Sequence, residues 1–214
     1  MENLYDWRQN YSKSQLLEDQ ISESPMEQFK TWFEQAQACE ALTEPNAMSV
    51  ASLEADGSLR TRMVLLKEYS KEGFVFYTNY NSQKGLALEA HPQVSLHFFW
   101  PALERQISIS ARTEKLAENI SDGYFSQRPK GSQLGALVSN QSSVIPSRDY
   151  LEERLTQLEK EYSDREVERP LYWGGYLARP YEIEFWQGRE NRLHDRIRYR
   201  FDENMQWVHE RLAP

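Results

Sequence analysis

The stretch FWQGRENRLHDRIRYRF, residues 185–201, sets five arginines and a histidine close together in a chain whose net charge is −8. With the period of a strand, Arg192, His194, Arg196, Arg198 and Arg200 share one face, while Leu193, Ile197, Tyr199 and Phe201 share the other. Like charges on alternate positions repel along a face, so the pattern predicts an anionic partner. Asp195 and Glu190 can supply part of it, and a phosphate would supply it better.

Three further stretches could bind anions. In YTNYNSQKG a strand ends at Tyr77 and Thr78, and Ser82 and Lys84 open the next helix, so free N–H groups, a hydroxyl and an ammonium lie together. An ordinary serine N-cap with a solvated lysine accounts for the same residues. In RTRMVLLK the odd separation of Arg62 and Lys67 puts them on opposite faces of a regular strand; both can line one site only if a bulge or strand end re-aims one. In YFSQRPKGSQLGALVSNQSS, Tyr124, Arg128 and Ser132 cluster near a Pro-Lys-Gly turn, and Gln141-Ser142 follow a short apolar helix. A polar loop fits that stretch equally.

The elements that must carry these residues are legible in outline. The 214 residues suit one sizeable core, and 6 Trp, 12 Tyr and 9 Phe offset a hydrophobic content of only 39%. Residues 1–23 are polar and unpatterned and are expected to be a mobile arm, with 24–214 a single domain. SPMEQFKTWFEQAQACEAL predicts a helix with Ser24 as N-cap, Pro25 in the first position, Glu27 closing a capping box, and Met26, Phe29, Phe33 and Ala36 on one face. Two strands flank the Asp56-Gly57 turn, the second running through SLRTRMVLLKEY; FVFYTNY follows the SKEG turn. SQKGLALEA is a short helix stopped by Pro92, and QVSLHFFW and RQISISAR form another antiparallel pair. Helical spacing returns between Asn119 and Tyr162, with Leu151, Leu155, Leu158 and Tyr162 in register, before the closing strands. About seven strands in hairpin-like succession, with helices inserted rather than alternating, predict a mainly β antiparallel barrel with helices outside.

Several classes of function find no support. The acidic balance, 25 Lys+Arg against 33 Asp+Glu, has the wrong sign for coating nucleic acid. The four histidines share no zinc-site spacing, so no metal is expected, and Gly-x-Ser-x-Gly, the Walker loop and Gly-x-Gly-x-x-Gly are absent. One cysteine, Cys39, excludes an intrachain disulfide, and neither a leader nor an 18-residue apolar run occurs, so a cytoplasmic protein without a membrane partner is expected.

Taken together, RMVLLK, FYTN, LERQ, YFSQRP, SNQSS, YWGG and FWQGRENRLHDR, in that order and spread from about Arg8 to the final RLAP, resemble the pyridoxine (pyridoxamine) 5′-phosphate oxidase family. The resemblance implies an FMN-binding antiparallel split β-barrel and a homodimer with the flavin at the subunit interface. It implies FMN contacts from Arg62, the following Met63, Val64, Leu65, Leu66 and Lys67, Tyr77, Thr78, Gln83, Lys84, Gln106, Gln141, Ser142, Trp186 and Arg196, some supplied by the partner subunit. Substrate phosphate falls to Lys67, Tyr124, Arg128 and Ser132; Arg192 and His194 face the pyridine ring as the catalytic pair; Arg8 and Tyr11 match an arm that approaches the substrate. The implied reaction oxidises pyridoxine or pyridoxamine 5′-phosphate to pyridoxal 5′-phosphate with dioxygen, releasing hydrogen peroxide, with Arg192 and His194 orienting the substrate and helping its proton leave.

One departure stands out: Gln83-Lys84 occupies the place where the family usually has Arg-Lys. Loss of a charged hydrogen bond of about 1.5–3 kcal/mol would weaken FMN binding about tenfold or more. Two alternatives stay open, a split-barrel reductase of another substrate and a non-catalytic carrier of flavin or vitamin phosphate. The complete substrate-side set argues against the first, and peroxide release separates oxidase from carrier.

Overall fold

The computed structural model describes residues 2–214, and its elements follow the punctuation of the sequence. Helix α1, Pro25–Gln37, has Ser24 at the N-cap and buries Met26, Phe29, Phe33 and Ala36, joined by Trp32. The expected capping box does not form. Ser24 makes no side-chain cap, and Gln28 instead turns back to accept the Ser22 N–H through Oε1 at 3.0 Å.

Strands β1, Ala47–Leu53, and β2, Leu59–Leu65, meet at the Asp56-Gly57 turn, where Gly57 takes a φ of +82° that favours glycine. The second strand is shorter than its sequence suggests. It ends at Leu65; Leu66 turns into the core, the Lys67 N–H donates to the Val75 carbonyl at 2.9 Å, and a separate β3, Glu68–Ser70, follows. This break helps raise the count among the described residues to nine strands, against about seven expected. The chain continues through β4, Gly73–Asn79, α2, Gln83–Ala90, β5, Gln93–Trp100, and β6, Arg105–Lys115. Helices α3, Glu118–Gln127, α4, Lys130–Val138, and α5, Arg148–Glu161, precede β7, Trp173–Gln187, β8, Asp195–Phe201, and β9, Trp207–Leu212. Strand order is β2-β1-β5-β6-β7-β4-β3, with β8 paired to β7 and β9 to β8.

The chain resolves into two compact units. The first comprises the segment ending at Val50, Ser95–Ala111 and Pro180–Pro214. Its core sets Phe29 against Phe98 and Trp32 edge-on to Phe185. Inward-facing Ile107, Ile109 and Ala111 of β6 are fully buried, as their alternation predicts. The N-terminal segment is attached here: Leu16 is buried, its N–H donates to Asp195 Oδ2 at 3.0 Å, and Tyr199 donates its hydroxyl to the Ser22 carbonyl at 2.6 Å.

The arginine stretch needs two corrections. Only residues from Asp195 onward form β8, so Arg192 and His194 lie before it, and Leu193 is 68% exposed rather than core. The expected anionic partner of the strand arginines is the protein's own. Arg196 forms a bidentate pair with Glu184 at 2.8 and 2.9 Å; Arg198 and Arg200 bond to Glu210 at 2.9 and 3.2 Å. Neighbouring strands β7 and β9 supply these carboxylates, with Arg198 directly opposite both Glu184 and Glu210 in register.

The second unit comprises Ala51–Val94 and Arg112–Arg179. Phe125, Leu134, Leu158 and Trp173 pack together, tying α3, α4 and α5 to the start of β7. Across the β4–β7 ladder, Tyr77 faces Gly175 and Thr78 faces Gly174. A Cβ on Gly175 would meet the Tyr77 ring at 2.8 Å, and one on Gly174 would meet the Tyr80 hydroxyl at 2.2 Å, so the glycine pair lets both rings lie against the strand.

Candidate active site

A cavity of about 630 Å³ opens in the second unit. Its first wall is β2: Arg62, Met63, Val64 and Leu65 line it, and so does Lys67, whose side chain is re-aimed by the strand end after Leu65. The parity obstacle between Arg62 and Lys67 is thereby removed. Leu66 is the exception among the β2 candidates, since it is buried away from the opening. Arg62 is held by Glu54 Oε1 at 2.9 Å and by the Ser52 hydroxyl at 2.6 Å. Glu54, buried just before the Asp56-Gly57 turn, escaped the sequence reading because a carboxylate beside a turn usually faces water.

The second wall is the end of β4 and the start of α2. Tyr77, Thr78 and Asn79 line the cavity, with Lys84 beside them. Ser82 does not face it: that hydroxyl is buried, accepts from the Gly85 N–H at 3.1 Å and donates to the Asn79 carbonyl at 2.6 Å, which is ordinary N-capping. Gly85 has no room for a side chain, because a Cβ there would sit 2.1 Å from the Tyr80 carbonyl oxygen. Lys84 is buried and donates to the Thr78 hydroxyl; burial, with Arg62 nearby, brings its ammonium down to about 8. Thr78 in turn donates to Gln141 Oε1 at 3.5 Å, and the Gln83 N–H reaches the Ser142 hydroxyl at 3.2 Å, although the side chain of Gln83 is exposed.

The third wall comes from the helices. Tyr124 of α3, Arg128 at its C-cap and Ser132 of α4 line the cavity with Trp173, a residue to which no role attaches in the sequence. Tyr77, Tyr124 and Trp173 are near-parallel, the Tyr77 and Tyr124 ring centroids 3.9 Å apart. The Arg128 guanidinium lies 4.5 Å from the Trp173 centroid. Its Nη1 is buried without a hydrogen-bond partner, and burial pulls its pKa below the usual arginine value. A buried donor left unpaired is costly and calls for an anionic acceptor.

The other candidates belong to the first unit. There a cavity of about 530 Å³ is lined by Arg8, Tyr11, Arg192 and His194, with Trp7 and Arg189. Tyr11 contacts Trp186 edge-on at 5.9 Å and His194 at 5.9 Å, and Trp186 lies 4.5 Å from His194. Gly188 permits this approach, since a Cβ would meet the Tyr11 ring at 2.7 Å. Asn191 and Arg192 both take left-handed backbone, φ +55° and +61°, and the Arg192 side chain is exposed. His194 Nδ1 accepts the Arg189 N–H at 3.1 Å, which leaves the ring proton on Nε2, and burial with Arg192 nearby lowers its pKa. Gln106, half-buried on β6, and Arg196, paired with Glu184, also belong to this unit and line neither of these two cavities.

Among the described residues, no group of metal-ligating side chains occurs and no helix is long and apolar enough to cross a membrane. The fold is that of antiparallel split-barrel proteins, mainly β with added helices. PhzG from Burkholderia lata 383, solved with tetrahydrophenazine-1-carboxylic acid, superimposes with a TM-score of 0.87 at 27% identity over 95% of this chain and all of that one. An FMN-binding protein from Nostoc punctiforme shares the fold, with a TM-score of 0.71 at 13% identity over 90% of this chain and 99% of that one.

Residues 33–161 match the family model of pyridoxamine 5′-phosphate oxidase, and residues 173–214 match the pyridoxine 5′-phosphate oxidase C-terminal dimerisation region. A pyridoxine/pyridoxamine 5′-phosphate oxidase of Flavobacterium psychrophilum is 53% identical over the whole of both chains. One from Nostoc sp. is 50% identical over 98% of this chain and 97% of its own. The chain belongs to the pyridoxamine 5′-phosphate oxidase family and is an oxidoreductase.

Proposed function

We propose that the chain is an FMN-dependent homodimeric oxidase that converts pyridoxine 5′-phosphate and pyridoxamine 5′-phosphate to pyridoxal 5′-phosphate with dioxygen as acceptor, releasing hydrogen peroxide and, from the amine, ammonia as water hydrolyses the imine first formed. The observation that carries this reading is the buried, partnerless Nη1 of Arg128 in a cavity that also holds Lys67, Lys84 and Arg62. Phosphate monoesters carry about −1.5 to −2 charge near neutrality, so two phosphorylated ligands need a set of cations of this size. Two sets of lining residues divide the work. Arg62 and Lys84, one fixed by Glu54 and one desolvated, fit the phosphate of FMN; Arg128, Tyr124, Ser132 and Lys67 fit that of the substrate.

When bound, the flavin would accept a hydride from the substrate C4′ carbon and pass the electrons to dioxygen. The chain's own share is binding and orientation. Lys84 holds a positive charge at the α2 start, and Thr78 positions its ammonium. The stacked Tyr77, Tyr124 and Trp173 fix the plane on which Arg128 lies. Arg192 and His194 are assigned to the pyridine ring. With Nδ1 already accepting, His194 presents Nε2–H, so its part is to donate a hydrogen bond and orient. Arg8 and Tyr11 are assigned to covering the bound ring, with Gln106, Trp186, Arg196, Gln141 and Ser142 assigned to the flavin across the subunits.

The test is an assay of purified protein with each vitamer, with and without added FMN, following pyridoxal 5′-phosphate absorbance and peroxide together. Both products in equal amounts are expected. Flavin uptake without peroxide would leave a carrier and overturn the oxidase. The likeness to PhzG favours a second reading, oxidation of an unphosphorylated ring; activity on pyridoxine equal to that on its phosphate would support it.

A further inference from the structure

Arg128 can serve a substrate phosphate only if its guanidinium is correctly aimed, and two elements decide that aim. Arg128 is the C-cap of α3, and its guanidinium rests on Trp173, the first residue of β7. Packing of Phe125 against Trp173, edge-on at 5.2 Å, brings helix and strand together but is nondirectional along the ring. A directional link is supplied by Arg169. Its Nε donates to Asp122 Oδ1 on α3 at 2.6 Å, and its Nη1 donates to the Trp173 carbonyl at 2.7 Å. The Arg169 side chain is only 5% exposed, whereas Asp122 is 58% exposed. A guanidinium is costly to bury, and its planar fork fixes the angle between two acceptors as an ammonium cannot. Arg169 itself lies outside the cavity lining, so it touches no ligand there.

We propose that Arg169 is a positioning residue for substrate phosphate: by tying Asp122 of α3 to the Trp173 backbone it sets the ring on which Arg128 lies, and so the direction in which Arg128 faces. The inference rests on the assignment of Arg128 to the substrate phosphate. Removing the clamp lets helix and strand slide by a fraction of an ångström, which weakens a charged hydrogen bond without removing either partner.

A double-variant cycle on the FMN-loaded enzyme tests it, using Arg128→Leu, Arg169→Leu and the pair, and reading KM and kcat for pyridoxamine 5′-phosphate and the Kd of pyridoxal 5′-phosphate. Arg169→Leu is expected to raise KM and Kd about tenfold with kcat within about twofold, and the pair to be no worse than Arg128→Leu alone. Multiplying effects in the pair, or unchanged KM and Kd in Arg169→Leu, would overturn the positioning role while leaving the site intact. An unchanged KM in Arg128→Leu would instead overturn the phosphate assignment itself. Should Arg169→Leu fail to fold, Asp122→Ala carries the test, because Asp122 is mostly solvated and its loss breaks one arm of the clamp. A rise of about threefold in KM, suppressed in the Arg128→Leu background, is expected, and no rise overturns the proposal.

Discussion

Two groups of cations in this chain look alike in sequence and differ in what surrounds them. On β8, Arg196, Arg198 and Arg200 stand closest together, and each meets a carboxylate from an adjacent strand. In the cavity of the other unit, Lys84 and Arg128 come from segments far apart in sequence; Lys84 meets a hydroxyl and Arg128 meets aromatic rings, with one nitrogen left unpaired. The density of positive charge along β8 is therefore met by the protein's own carboxylates. What distinguishes Lys84 and Arg128 is burial without an internal carboxylate partner, a state that costs stability unless a ligand supplies the missing counter-charge.

The two groups should differ most at Arg128. Arg128→Leu is expected to lower kcat/KM for both phosphorylated vitamers about 10- to 100-fold, the loss of one or two charged hydrogen bonds, with most of the effect in KM. Because it removes a buried unsatisfied nitrogen, the variant is also expected to melt no lower than the parent when no ligand is bound. Steady-state kinetics and thermal melts check both; a large drop in melting temperature with unchanged kinetics would make Arg128 a structural residue.

Lys84 sharpens the same contrast through pH. Its ammonium is brought down to about 8, lowered first by burial and then by Arg62. A bound phosphate favours the charged form and raises that value, so above about pH 8 binding takes up a proton. The FMN Kd should stay level as pH rises toward 8, then weaken by up to about tenfold per pH unit, until the raised value is passed. Flavin fluorescence quenching against pH measures this, and Lys84→Met should bind weakly with no such bend. An identical bend in Lys84→Met would assign it to another group.

Local pattern carried much of this structure. Alternation on β6, the stripe on α1 and the Asp-Gly turn each follow from a single period or turn chemistry, and each is where it was expected. Three features depended on tertiary context. The Ser24 cap lost to Gln28, whose side chain reaches outside its own helix. The run through SLRTRMVLLKEY was cut because Leu66 is drawn inward, and that cut is what turns Lys67 into the cavity. The carboxylates that neutralise β8 come from strands 12 residues away on either side, beyond any local reading of the arginine run. In the site itself, motif order identified the lining of β2, β4 and α3, whereas Glu54 and Arg169 act through partners whose proximity no spacing reveals.

A smaller effect is expected at Gln83, where the resemblance to the family leads one to expect arginine. Gln83 lies in the first turn of α2, where no acidic residue competes for a cation, and its own side chain is exposed. Gln83→Arg is expected to tighten FMN binding about tenfold by adding a charged donor beside Lys84. Titration of the apoprotein with FMN decides it, and no gain would mean that Arg62 and Lys84 already satisfy the phosphate.

The smallest effect belongs to the strand arginines, and it is the other half of the contrast. Arg198 is one-third exposed and pairs with Glu210, which Arg200 also holds. Arg198→Leu loses solvated ion pairs with Glu210 and Glu182, relieves repulsion from its neighbours, and leaves Glu210 its second partner, Arg200. The melting temperature should move by no more than about 4 °C, and kcat/KM should stay within about twofold. A loss of activity comparable to that of Arg128→Leu, with the melt unchanged, would show that Arg198 faces a ligand too. It would also show that carboxylate pairing in the unliganded chain gives way to a stronger anion on binding.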